Sequence, residues 1–144
     1  MRRVRPEWDD YFSTMARWAA HRSPDDKTQV GCVIVRDRHI IGTGYNGTPA
    51  GFDDSAVDWF GDEKKQYVIH AEANAIVHAN GTELRGATLY CTHSPCVNCA
   101  LLIASAGIVR VVFEAVYRQD GLDLLATFGI EASQYVKGRD GIGI

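Results

Sequence analysis

Apolar side chains recur at positions 8, 11, 12, 15, 18 and 19, the spacing of one helical face, and Pro6, Glu7, Asp9 and Asp10 stand where a helix start accepts proline and favours acids. This predicts an amphipathic helix reaching about His21, with its aromatic stripe of Trp8, Tyr11, Phe12 and Trp18 packed in the core. A polar, proline-containing loop follows over 21–28. The β-branched run 29–35, a turn at Arg36-Asp37-Arg38 and the run 39–45 predict a hairpin. Turn formers crowd residues 46–51. Residues 52–68 are irregular and polar with a short helix expected at 57–60, and so long a connection predicts a lid or regulatory surface. Beyond it the pattern alternates: a helix over 70–79 stopped by Asn80-Gly81, a buried strand over 87–92, a helix over 96–106 capped by Gly107, and a buried strand over 108–113. A helix over 121–128 backed by Gly129, an edge strand over 130–136 and a loose tail over 137–144 complete the chain. Helical crossovers between strands favour parallel pairing with helices on the sheet faces. The sum is an α/β fold, a three-layer α/β/α sandwich with a five-stranded mixed sheet. It forms a single domain over 1–144 with its core at about 5–136.

Composition narrows the function. A chain of 144 residues that is 46% hydrophobic and 23% charged can bury one core. Its net charge of -3 argues against coating a nucleic acid polymer and leaves room only for a local positive pocket suited to a mononucleotide. Two of the four cysteines fall in one Cys-x-x-Cys, and the chain opens without a signal-like apolar segment, which predicts a reducing, cytoplasmic setting. No apolar run approaches the ~18 residues of a membrane span.

The chemistry concentrates in His70-Ala71-Glu72 and Ser94-Pro95-Cys96-Val97-Asn98-Cys99. One imidazole and two thiolates suit zinc, and three protein ligands leave a tetrahedral ion one open position for water. Pro95 before Cys96 fits entry into a helix whose N-terminal partial charge favours thiolates, so the ligands are expected to be ionised when metal arrives. Zinc lowers the pKa of bound water from about 15.7 to roughly 7. Glu72, beside a ligand and not itself one, is the candidate proton shuttle. A closed structural site would need a fourth ligand, for which Cys32, Cys91, His78 and His93 are the available residues, although none has knuckle spacing.

These motifs resemble the cytidine deaminase-like superfamily. Three further stretches are similar to its deoxycytidylate (dCMP) deaminases: Arg5-Pro6-Glu7-Trp8-Asp9-Asp10-Tyr11-Phe12, then Thr28-Gln29-Val30-Gly31-Cys32-Val33-Ile34-Val35, and Gly42-Thr43-Gly44-Tyr45-Asn46-Gly47-Thr48-Pro49-Ala50-Gly51. The resemblance runs over about 5–129. It implies hydrolytic deamination of dCMP to dUMP in pyrimidine nucleotide metabolism, with one catalytic Zn2+ per subunit on His70, Cys96 and Cys99 and with Glu72 as proton shuttle. The positions of a second, structural zinc found in some relatives are not matched, since Val68 stands two residues before His70 and residues 51–54 hold no Cys. Substrate contacts carried over are Asn46 for the sugar, Ala71 in the pocket, and Arg22 and Tyr117 near the phosphate, with Lys27 and Arg118 as looser candidates. The resemblance also implies a homohexamer activated by dCTP and inhibited by dTTP with Mg2+, the effector site including Gly44, Tyr45, Asn46, Gly47 and Gly51.

Rival readings are a deaminase of another cytosine nucleotide such as dCTP, and a zinc-containing binding subunit without activity, which an intact Glu72 disfavours. A tRNA adenosine deaminase would call for a basic surface that this acidic chain lacks.

Overall fold

The computed structural model describes residues 2–137, so the expected loose tail lies, apart from Lys137, outside the described residues. Strands β1 (Gly31–Arg36) and β2 (His39–Tyr45) form the expected hairpin, joined through Asp37 and Arg38 at φ 52° and 64°. Two successive positive φ values give a turn whose twist matches that of the strands. β1 also pairs antiparallel with β3 (Thr88–His93). β4 (Arg110–Ala115) and β5 (Glu131–Gln134) then add in parallel, giving one mixed sheet in the order β2-β1-β3-β4-β5.

Strand alternation builds two cores. Cys32, Ile34, Leu89, Cys91 and Val111 face one way, under α2 (Ala71–His78), α3 (Val97–Ala106) and α4 (Gln119–Thr127). Val33, Val35, Tyr90 and Val112 face the other way and meet Phe12 and Ala16 of α1 (Trp8–Ala20). Each side chain of this kind contributes about 1.5–3 kcal/mol by leaving water. The result is the expected three-layer α/β/α arrangement.

Two expectations fail. The aromatic stripe of α1 is core only at Phe12: Trp8 is 45%, Tyr11 39% and Trp18 66% exposed, while Phe12, Ala16 and Ala20 form the inward face. A Cβ on Gly31 would overlap the Ala16 carbonyl and Ala20 backbone, so over Gly31 the C-terminal half of the helix lies against the sheet through alanines, and the large ring beneath it is Phe12 nearer its start. Residues 57–60 are not helical. Short 3-10 turns form instead at Asp54–Ala56 and Asp62–Gln66. Asp53 caps the first of them by accepting from Ser55 N at 3.0 Å, and Asp58 accepts from Phe60 N at 3.1 Å, a side-chain bond that competes with a helical turn at 57–60.

Candidate active site

One end of the sheet gathers the start of β1, the end of β2 and the ends of β3 and β4, and two helices begin there. His70 is the N-cap of α2 and Cys96 the N-cap of α3, with Cys99 in the first turn. Gly44 of β2 lets α2 approach, since a Cβ there would overlap the Ala71 carbonyl oxygen. His70 Nδ1 lies 3.4 Å from Cys96 Sγ and 3.5 Å from Cys99 Sγ. A tetrahedral zinc with ordinary bond lengths separates a nitrogen and a sulfur ligand by about 3.6 Å, so the donor set and its spacing fit that ion. Among the described residues this is the group whose His, Cys or carboxylate atoms all fall within 4.8 Å of one another. The residues offered by sequence as a fourth ligand do not join it. Cys32 and Cys91 pair across β1 and β3, His78 ends α2, and His93 Nδ1 meets Thr92 Oγ1 at 2.9 Å. An ion held by these three side chains would keep a fourth position for water.

Glu72 sits in the first turn of α2, 4% exposed, with Oε1 3.5 Å from Cys91 Sγ. Burial pushes its carboxyl up, against its own backbone N–H and the nearby His70, which pull it down. At Cys99 the helix start is opposed by the thiol's surroundings. There burial first, then the charges of Glu72 and Cys96, push the thiol up. A cation must accompany its deprotonation.

Beside these groups opens a cleft of about 390 Å³, a size typical of small-molecule sites. Asn46, Ala71 and Tyr117 line it as expected. Asn46 is committed within the wall: Oδ1 accepts from Val30 N at 2.8 Å, and Nδ2 donates to Thr28 O at 2.9 Å. Tyr117, 57% exposed, stands at the mouth and is fixed where its N–H donates to buried Ser94 Oγ at 2.8 Å. Arg22 and Lys27 are exposed and do not line the cleft, nor does Arg118, which pairs with Asp120 at 2.8 Å.

The cation that does line it, Lys64, went unnoticed in the sequence. It comes from the long 52–68 connection, and its Nζ meets Asp25 Oδ2 at 2.7 Å. Asp25 is buried. Its burial penalty is outweighed by Lys64 and by the amides of Lys27 and Thr28, so its carboxyl lies below the usual range. A local sign of Asp25 was present, because Pro24-Asp25 opens a turn whose amides the carboxylate accepts at 2.8 and 3.1 Å. Nothing local marked Lys64.

The segment expected to hold effectors is occupied by fold-making contacts. Asn46 N donates to Val30 O, Gly47 exchanges backbone hydrogen bonds with Ile69, and Tyr45 O accepts from Asn74 Nδ2 at 2.8 Å. Gly51, at φ 88°, is exposed.

Comparison with known proteins agrees with this geometry. Residues 6–115 match the family described as the cytidine and deoxycytidylate deaminase zinc-binding region. A deoxycytidylate deaminase of Mycobacterium phage D29 is 42% identical over 122 residues, 76% of this chain and 95% of that protein. The deoxycytidylate deaminase of Homo sapiens is 42% identical over 114 residues, 74% of this chain but 64% of the human protein. Among solved structures, the dCMP deaminase of cyanophage S-TIM5 in complex with dCMP and dUMP superposes with a TM-score of 0.82 at 32% identity, covering 92% of this chain and 100% of that one. With the matched region spanning both metal-binding segments and Glu72, the chain belongs to the cytidine and deoxycytidylate deaminase family.

Proposed function

We propose that this chain hydrolyses dCMP to dUMP and ammonia, with Zn2+ held by His70, Cys96 and Cys99. The observation that carries the reading is the His/Cys/Cys group with buried Glu72 beside it, opening onto a mononucleotide-sized cleft. It is supported by relatives named deoxycytidylate deaminase and by the bound dCMP and dUMP of the cyanophage structure. Bound there, zinc would supply a Lewis-acid centre that makes a nucleophile of water near neutral pH. Glu72 takes a proton from the attacking water on a carboxylate oxygen and delivers it to ring nitrogen N3. It then takes the remaining proton of the hydroxyl now bonded to C4 and gives it to the exocyclic amine as the C4 carbonyl forms and the C4–N bond breaks. Water and dCMP are consumed, and ammonia and dUMP are released.

The walls orient the nucleotide. Ala71 lies against the base, Asn46 holds the wall along the sugar, and Tyr117 and Lys64 face the phosphate at the mouth. The phosphate competes with Asp25 for Lys64 Nζ, a compact cation suited to that exchange. Arg22, outside the lining, has no part in this reading. Regulation by dCTP and by dTTP with Mg2+ in a homohexamer belongs to the same proposal and rests on the resemblance of residues 44–51.

Ammonia release from dCMP, CMP, dCTP and deoxycytidine, each with and without added dCTP and Mg2+, tests the proposal. Preferred turnover of dCMP is expected, with sigmoidal kinetics becoming hyperbolic when dCTP is added. Preference for dCTP as substrate, or no turnover by zinc-loaded protein, would overturn it.

A further inference from the structure

Beneath the metal-binding turns, β1 and β3 bring two cysteines together that the hydrolysis described above does not use. Cys32 and Cys91 are directly paired in the antiparallel register, and alternation points both toward α2. Both are buried and their thiols touch. Cys91 Sγ also lies 3.5 Å from Glu72 Oε1, donating its S–H to the carboxylate. Contact with Cys32, burial and the charge of Glu72 all push the Cys91 thiol up, so it stays protonated and remains a donor.

Glu72 has a second sulfur neighbour in Cys99, but that sulfur belongs to the metal-binding group. Once Cys99 is spent on a metal ion, Cys91 is the side-chain donor left to the carboxylate among the described residues. A carboxylate that shuttles a proton between water, ring nitrogen and leaving amine must keep one orientation through several transfers. We infer that Cys91 is a positioning residue for Glu72: its thiol fixes the carboxylate from below so that the other oxygen faces the cleft. This role rests on the reading of Glu72 as proton carrier. A thiol is a weak donor, so the effect concerns orientation more than affinity.

The alternative is that Cys91 merely fills space, and four variants separate the two. Cys91→Val removes the donor and adds about one methyl group of bulk, Cys91→Ala removes the donor without added bulk, Cys91→Ser keeps a donor, and Cys32→Val adds the same bulk to the same core one residue further from Glu72. For each, kcat and KM on dCMP, zinc content and melting temperature are measured on the zinc-loaded protein. In Cys91→Val and Cys91→Ala, kcat should fall about tenfold, the scale of one lost charge-assisted hydrogen bond, with KM and zinc content unchanged. Cys91→Ser and Cys32→Val should stay within about threefold of the parent by the same reckoning. If Cys91→Val does not fold, Cys91→Ala alone carries the comparison, again judged by rescue with Ser. Parental kcat in the donor-less variants, or a serine variant as slow as they are, would overturn the inference. The underlying reading fails separately, if Glu72→Ala retains zinc and parental turnover.

Discussion

At Glu72 burial outweighs the pull of its own backbone N–H and of His70 and pushes the carboxyl up, and its place beside the metal-binding group is where a proton carrier for the proposed reaction would stand. Replacing it by Ala should leave the three metal-binding side chains in place and lower kcat by about 10²–10⁴. Turnover assays paired with zinc determination check this, and a zinc-loaded variant of parental activity would remove the shuttle role. Lys64 makes a different prediction. Lys64→Gln should raise KM for dCMP about tenfold, as loss of one charged phosphate contact does, and leave deoxycytidine turnover unchanged. An equal effect on both substrates would assign Lys64 to the fold alone. The contrast between the residues also explains what could be read in advance. His70, Glu72, Cys96 and Cys99 announce themselves because their spacing is local to two helix starts, whereas Lys64 meets Asp25 across 39 positions in sequence. Cys91 gains its meaning only when β3 passes under α2.

Elements hold the site by close approach as much as by hydrogen bonding. Gly121, in the first turn of α4, lies so near the metal-binding turn that a Cβ would overlap the Pro95 carbonyl oxygen and crowd Cys96. Gly121→Ala should therefore push α4 away from the start of α3, with an overpacking loss of about 1–3 kcal/mol. It should also retain zinc less well against a chelator. Parental melting temperature and zinc retention together would show that α4 does not brace the site. Strands and helices were mostly legible, because runs such as Cys32-Val33-Ile34-Val35 and stops such as Gly107 act locally. The facing of α1 was not. Its spacing did not separate Phe12, which faces inward, from Trp8 and Trp18, which do not, and the alanines beside Phe12 are set by close approach to Gly31 on another element.

For the molecule as a whole, the attachment of α1 to the far side of the sheet has an electrostatic component that can be titrated. Asp9 accepts from Arg110 at 2.7 and 2.9 Å and from Tyr90 OH at 2.7 Å, joining the helix to β4 and β3. Arg110 holds the Asp9 carboxyl below its usual range, with Tyr90 assisting and partial burial opposing. A carboxyl depressed in the folded state binds its proton more readily when unfolded. Its stabilisation is therefore complete above the unfolded pKa near about 3.9 and fades as pH falls through the lower folded value. Asp9→Asn keeps an acceptor for Tyr90 but does not titrate. It should be less stable than the parent at pH 7 in urea unfolding, and the gap should narrow as both are acidified below about pH 4. Asp25 and the metal-binding groups titrate in both proteins, so they drop out of the difference. A gap of the same size at pH 3 and pH 7 would mean that packing alone, with Phe12 and Ala16 against Val33 and Tyr90, seats the helix.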